Sequence, residues 1–463
     1  MDHDVIIIGS GPGGYVAAIR AARLGSRVIV VEREDVGGVC LNRGCIPTKS
    51  LLKSAQVLEY ARRGREFGVN TGEVTADFPA IIARARDVAE KMSRGVQFLL
   101  DKNGVEVIKG HGRLTAGRQV EVTRSDGGRV LLDAPRVVLA TGARARELPG
   151  VPLDGTRVIG YREALRLERL PSSMIVIGSG AIGSELAFFY RAMGTRVTLV
   201  EYMPAVLPLE DEEISRVVGR SFKKAGIEVM VNASVESVER AGDGVRALVR
   251  NKKGEVETRE ADVLLSAAGI TPNVEGLGLE EAGVIVEKGR VKVDARYRTS
   301  VDGVYAIGDL VPGPSLAHVA SAEAICCVEY MAGLDPGAVD YSSIPACTYT
   351  TPEVASVGLS EARAARAGYA TRVGKFPLSA SGKASAAGAP EGFAKLVFNA
   401  DDDALLGAHL VGLNVTEMIG GLVIAKRLGA RSRDIIKSVH PHPTISEAIM
   451  EAAADARDEA IHL

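Results

Sequence analysis

The chain of 463 residues, 46% hydrophobic and 25% charged, can bury several cores and should divide into about three domains. Its net charge of −2, with Lys and Arg scattered, excludes the basic footprint of a nucleic-acid binder, and no apolar run approaches the length of a membrane span. Five cysteines are too few for a secreted disulfide framework, and with no leader ahead of a first strand at Asp4 a cytoplasmic protein, or a trimmed organellar one, is expected.

The first element reads Val5-Ile6-Ile7-Ile8, then the turn Gly9-Ser10-Gly11-Pro12-Gly13-Gly14, a helix to about Leu24, and the strand Val28–Val31 ending in Glu32. This is a full dinucleotide-binding fingerprint. Gly9 and Gly11 permit a tight turn and close approach of backbone to a pyrophosphate, Gly14 lets helix meet strand, and Glu32 can take both ribose hydroxyls. The helix N-terminus supplies the anion site.

Next comes Gly37-Gly38-Val39-Cys40-Leu41-Asn42-Arg43-Gly44-Cys45-Ile46-Pro47-Thr48-Lys49. A regular helix would separate the Cα atoms of Cys40 and Cys45 by roughly 8–9 Å on diverging faces, whereas a disulfide needs less than about 7 Å. If the two bond, the chain between them leaves helical geometry, and Asn42 and Gly44 tolerate the required turn. Pro47 fits the first turn of a helix running to about Arg62. Cys45 then lies at a helix N-terminus, where thiolate is favoured over thiol, as an electron donor to a flavin needs. The other readings are two buried free thiols or half of a metal site. No second Cys/His pair stands at a ligand spacing, which speaks against metal.

Val137–Leu139, followed by the small residues Ala140 to Ala143, has a buried-strand pattern suited to a crossing between domains. The fingerprint then recurs as Met174–Ile177, Gly178-Ser179-Gly180-Ala181-Ile182-Gly183, a helix to Met193, and Val197–Val200 ending in Glu201. Two such units imply two dinucleotides. Tyr202-Met203-Pro204 follows Glu201 with no Arg or Lys placed to meet a 2′-phosphate, which favours NAD over NADP. A strand matching Val137–Ala143 recurs at Val304–Asp309, where Asp309 either reaches a cofactor hydroxyl or serves as a turn residue. Cys326 and Cys327, in an Ala-rich helical stretch, are expected in a core, and Cys347 is an ordinary thiol.

From about Tyr341 the pattern changes to an α+β domain, with strands at Thr371–Pro377, Gly392–Asn399 and Leu405–Gly412 and helices near 414–429 and 431–438. It ends in His440-Pro441-His442-Pro443-Thr444-Ile445-Ser446-Glu447 and an Ala-rich helix. His442 and Glu447 can act as a base and its orienting carboxylate. Alternatively, Ser446 or Thr444 caps the helix and Glu447 occupies its first turn.

The motifs Gly9–Gly14, Gly37–Lys49, Ala140-Thr141-Gly142, Gly178–Glu185, Val304–Asp309, Leu316-Ala317-His318, Pro352–Glu361 and His440–Glu447 span nearly the whole chain. In order and distance they resemble the dihydrolipoyl dehydrogenase branch of the pyridine nucleotide–disulfide oxidoreductases, and the His-Pro-His-Pro-Thr form points to the lipoamide rather than the glutathione branch. The resemblance implies an α/β fold: two Rossmann-like domains for FAD (1–145) and NAD (146–271), a central domain completing the FAD site (272–342), and an α+β interface domain (343–463). It also implies a homodimer with shared active sites that serves the lipoyl domains of 2-oxo acid dehydrogenase or glycine cleavage complexes.

By the same resemblance, Cys40 meets the substrate and Cys45 lies against the flavin. His442 from the partner subunit is the base, oriented by Glu447, and Lys49 pairs with Glu185 near flavin N5. Gly112, Thr141, Gly142, Ala143, Asp309, Ser315, Leu316, Ala317 and His318 join Gly9, Gly11, Gly14 and Glu32 around FAD. Val235, Gly269 and Glu201 join Gly178, Gly180 and Gly183 around NAD. No metal is implied. The chain departs from the family pattern at Ile270, Val319 and Thr351, where Arg, Lys and His are frequent. A mercuric reductase would carry a cysteine pair near its C-terminus, and residues 458–463 hold none. A flavin-bearing redox sensor or docking module is the reading from another class, and the intact thiol pair with His442 and Glu447 argues for turnover instead.

Overall fold

The structure, a computed structural model, describes residues 3–463. The chain up to Leu51 joins Pro79–Arg146 and Gly269–Val339 in one compact unit, and Leu52–Phe78, Glu147–Ala268 and Asp340–Leu463 form a second.

The first unit is built on a five-stranded parallel sheet ordered Val304–Ala306, Arg136–Leu139, Val5–Ile8, Val28–Glu32, Glu106–Lys109. Its central strands are unbroken β-branched runs because both faces are covered. Alternation decides which side chain goes where. Val5, Ile7, Val28 and Val30 pack under the helices Pro12–Arg23, Phe78–Lys102 and Ala317–Met331. Ile6, Ile8, Ile29 and Val31 pack on a three-stranded antiparallel sheet, His111–Leu114, Val120–Thr123 and Arg129–Leu132. Cys326 and Cys327 are buried in the helical layer, as expected of core thiols, and burial raises the pKa of both.

The second unit repeats this plan. Glu228–Val231, Arg196–Glu201, Ser173–Ile177, Val263–Ser266 and Val158–Ile159 form a parallel sheet, and Ser234–Ala241, Gly244–Arg250 and Val256–Ala261 form the antiparallel one on its face. The expected repetition of the fingerprint is thus a repetition of whole layers. The unit also carries an antiparallel sheet ordered Pro345–Thr348, Glu353–Gly358, Leu405–Gly412, Phe393–Asn399, Thr371–Pro377. The helices Val415–Arg427, Ser432–Lys437 and Glu447–Asp455 cover one face of it. Among the described residues no helix is long and apolar enough to cross a membrane.

Candidate functional site

The two glycine-rich turns are wired alike. Gly9 has φ +102°, and a Cβ there would fall 2.3 Å from the Ala140 carbonyl oxygen; one on Gly14 would fall 1.9 Å from that of Gly9. Gly178 has φ +91°, and a Cβ on Gly183 would fall 1.9 Å from the Gly178 oxygen. A Cβ on Gly11 or Gly180 would meet nothing within 4 Å. These two glycines therefore face open space beside helix starts at Pro12 and Ala181, whose first amides have no partner within the helix. This arrangement fits the pyrophosphate of a dinucleotide at each turn.

The strand-end acids do more than the sequence indicates. Glu32 Oε2 accepts from Ser10 N (2.8 Å) and Oγ (2.6 Å), and Oε1 accepts from Glu34 N (2.7 Å). Glu201 does the same with Ser179 N and Oγ (both 2.7 Å) and Met203 N (2.7 Å). Each acid locks its own turn through the serine between the glycines. The capacity of Glu32 for both ribose hydroxyls is correspondingly narrowed, because Oε2 is already filled. The repeated Gly-Ser-Gly was the available signal.

The cysteine segment leans on the first turn. Gly37 and Gly38 have φ +94° and +62°, and a Cβ on Gly38 would lie 2.6 Å from Gly11 Cα. Gly37 N donates to Ser10 O at 3.0 Å. A short helix, Gly38–Arg43, is broken at Gly44, and a second runs Cys45–Arg62. The expected break is therefore made by Gly44 alone. Asn42 stays helical because its amide donates to Val36 O and Gly38 O, both at 3.0 Å. Arg43 ties the segment to Glu34 and Asp35.

Cys40 is half-buried and Cys45 is exposed. The hydrogen bond to Cys45, reinforced by burial, pushes the Cys40 thiol well above its usual range, while Lys49 pulls the other way. Cys45 stands at the first position of the long helix, where a thiolate is favoured over a thiol.

Further elements of the first unit carry other residues expected around the cofactors. Thr141 Oγ1 donates to Asn273 O (2.9 Å), Asn273 Nδ2 donates to Thr141 O (2.9 Å), and Asn273 N donates to Gly142 O (2.9 Å). Ala143–Ala145 pairs with Ile270–Pro272, and Arg146 N donates to the oxygen of Gly269, which has φ +104°. A Cβ on Gly112 would press Ile8 and Val31 at 3.1–3.2 Å. Asp309 follows the strand in a 3-10 turn, and burial raises its pKa against the pull of Arg290. Arg290, absent from the sequence reading, donates to Asp309 O (3.0 Å) and Val311 O (2.6 Å) and reaches Ser315 Oγ (3.4 Å). Ser315 and Leu316 lead into the helix Ala317–Met331, with His318 exposed in its first turn and Val319 buried.

In the second unit, His442 Nδ1 and Glu447 Oε1 are 2.8 Å apart, and Glu447 Oε2 accepts from Thr444 N at 2.8 Å. The Thr444 amide and His442 hold the Glu447 carboxyl below its usual range. Ser446 occupies the cap position without a side-chain capping bond. His442 is thus oriented through one ring nitrogen, with Nε2 outward on a side chain that is 82% exposed. Glu185, buried in the helix Ala181–Met193, accepts from Tyr349 N at 3.0 Å. Val235 lies at a bulge in the strand Ser234–Ala241, and the Thr351 oxygen accepts from Ser221 Oγ at 3.0 Å. Among the described residues no three His, Cys, Asp or Glu side chains gather as a metal site.

Residues 3–324 match the model of the pyridine nucleotide-disulphide oxidoreductases, and residues 344–453 match the dimerisation domain of the same family. The dihydrolipoyl dehydrogenase of Chlorobaculum tepidum is 48% identical over 98% of this chain and 97% of its own. That of Bacillus subtilis is 42% identical over 100% and 99%. The crystal structure of LpdA from Mycobacterium tuberculosis superposes with a TM-score of 0.91 at 30% identity, covering 97% of this chain and 99% of that one.

Proposed function

The chain belongs to the pyridine nucleotide-disulphide oxidoreductase family, and on that premise we propose how its residues oxidise a dihydrolipoyl group to a lipoyl group with NAD+ as acceptor. It is an oxidoreductase that uses FAD and NAD. The observation that carries the assignment of residues is the hydrogen-bonded thiol pair at a helix N-terminus, seated on a dinucleotide-binding turn.

The first turn, Glu32, Gly112, Thr141–Ala143, Asp309 and Ser315–His318 would hold FAD, which when bound would supply two-electron transfer between the reduced thiols and NAD+. NAD+ is held by Gly178–Gly183, Glu201, Val235 and Gly269. The protein's own steps are sulfur and proton chemistry. His442 Nε2, with Nδ1 committed to Glu447, removes a proton from one substrate thiol. The thiolate attacks Cys40 Sγ, the Cys40–Cys45 bond breaks, and Cys45 leaves as thiolate stabilised at its helix start. The second substrate thiol then attacks the substrate sulfur of the mixed disulfide, closing the lipoyl ring; its proton passes to the departing Cys40 sulfur, and the first proton stays on His442. Exposure alone ranks the two sulfurs the other way. The helix start at Cys45, which favours thiolate there, and the upward push on the Cys40 thiol support this order.

Lys49 is assigned to the flavin edge with Glu185 as counter-ion. The four-part division at 145, 271 and 342 follows these assignments. The chain carries a dimerisation domain, and in the proposed homodimer His442 of one protomer serves the thiols of the other. The macromolecular partners are lipoyl domains of 2-oxo acid dehydrogenase or glycine cleavage complexes, met in the cytoplasm.

An anaerobic titration of the FAD-loaded protein with dihydrolipoamide, followed by NAD+, tests this. The expected result is a long-wavelength thiolate–flavin band and then stoichiometric NADH. Reduction by NADH without reduction by dihydrolipoamide would overturn the substrate assignment and leave the fold untouched.

A further inference from the structure

The helix Glu447–Asp455 carries two His–Glu pairs on one face. Glu447, in its first turn, holds His442. Glu451 lies one turn further on, where positions four apart stack on the same side. Its side chain is 95% buried, so its carboxylate needs donors. Oε1 takes His462 Nδ1 at 2.6 Å, and Oε2 takes the amides of Ile461 (3.2 Å) and His462 (3.4 Å). The two amide bonds are long, and the imidazole makes the one short contact.

We propose that His462 is a positioning residue for the thiol-oxidising reaction: by satisfying buried Glu451 it fixes the rotation of the helix that presents Glu447 to His442. The inference rests on the role proposed above for His442. A carboxylate deprived of its donor gains by turning toward water, and any rotation that exposes Glu451 swings Glu447 by the same angle, because both project from one helical face. The helix cannot yield on its other side. A Cβ on Gly374, in the strand beneath it, would fall 1.9 Å from Ala452 O, so backbone already lies against backbone there.

The test compares His462→Ala, His462→Asn and His462→Gln in the FAD-loaded full chain. Dihydrolipoamide oxidation by NAD+ is measured beside NADH oxidation by ferricyanide, which needs neither the thiols nor His442. H462A is expected to lower dihydrolipoamide turnover about tenfold, part of what a positioned base contributes, with the ferricyanide rate unchanged. H462N, whose amide nitrogen stands where Nδ1 stood, restores turnover, and H462Q does not. Equal losses in both assays, or full dihydrolipoamide turnover in H462A while His442→Gln abolishes it, would overturn the proposal. If H442Q itself retains turnover, the role of His442 is what fails.

Discussion

Replacing Cys45 by serine removes the sulfur that takes the hydrogen bond of Cys40 and leaves no disulfide to form. Dihydrolipoamide oxidation by NAD+ is expected to fall by roughly 10³-fold or more, while NADH oxidation by ferricyanide continues; comparable loss of both would point to lost flavin instead. Asp154 is a second residue whose chemistry is plain. Its Oδ1 accepts from Thr156 N (2.8 Å), Thr156 Oγ1 (3.0 Å), Arg157 N (2.7 Å) and Val158 N (3.0 Å), and Oδ2 accepts from Arg240 Nε (3.0 Å). Partial burial pushes its pKa up, but the donors outweigh it and hold the carboxyl well below the usual range. Arg27 holds Asp4 down to about 2 in the same way. A carboxylate whose pKa is lower folded than unfolded adds stability above the unfolded value, near pH 4, and loses it as pH falls toward the folded one. Asp154→Ala, at a site open to solvent, is expected to cost about 1 kcal/mol at neutral pH. The difference in unfolding midpoint from the parent should narrow as pH drops from about 4 toward 2; a constant difference would assign the effect to packing.

At the scale of elements, the second glycine turn can be broken without touching the first. A methyl group on Gly183 collides with Gly178 O, and the strand Ser173–Ile177 cannot retreat because Arg196–Glu201 and Val263–Ser266 flank it. Gly183→Ala is expected to bind FAD and be reduced by dihydrolipoamide, yet to require at least about tenfold more NAD+ for turnover, since small-to-large changes in tight sites cost about 1–3 kcal/mol. Stopped-flow reduction followed by NAD+ separates the two steps. Such turns are legible in sequence because a forbidden Cβ is written directly as glycine. The strands Thr371–Pro377, Leu405–Gly412 and the helices after them were legible for a similar reason, since their apolar period is local. What escaped depends on contacts between distant segments. Gly38 is set by the Gly11 backbone, Arg290 serves a loop nineteen residues away, and Asn42 takes a helical place that its turn preference argues against. The motif Pro352–Glu361 contains the strand Glu353–Gly358 without revealing it as one, and Pro345–Thr348 goes unmarked in the sequence, because Pro345 and Thr350-Thr351-Pro352 interrupt the alternation.

At the scale of the assembled second unit, a single buried cation joins the second dinucleotide-binding layer to the C-terminal sheet. Ser356, His409, Lys395 and Lys375 stand side by side across four strands. Their face is opposite to the one that packs on the C-terminal helices, which Ala355, Ala408, Ala394 and Phe376 fill. Against this polar row lies the start of the helix Glu212–Lys224. Lys395 Nζ is 3.1 Å from Asp211, 3.0 Å from Glu213 and 3.0 Å from Glu361, and Lys375 also pairs with Glu213. Burial disfavours the ammonium, but the bonds to Glu361 and Glu213 and the charge of Asp211 more than offset it, so its pKa rises. Burial lowers the pKa of His409 beside it. Asp211 is 5% exposed and also caps the helix through Glu213 N at 2.9 Å. Lys395→Met would leave that carboxylate buried without a counter-charge, which costs about 3–5 kcal/mol. Asp211→Asn keeps the capping oxygen and removes the charge. The double variant K395M/D211N is therefore expected to recover much of the loss, measured as the coupling in a denaturant double-mutant cycle. If the double variant is no more stable than K395M, the lysine's packing rather than the orphaned charge holds this joint together.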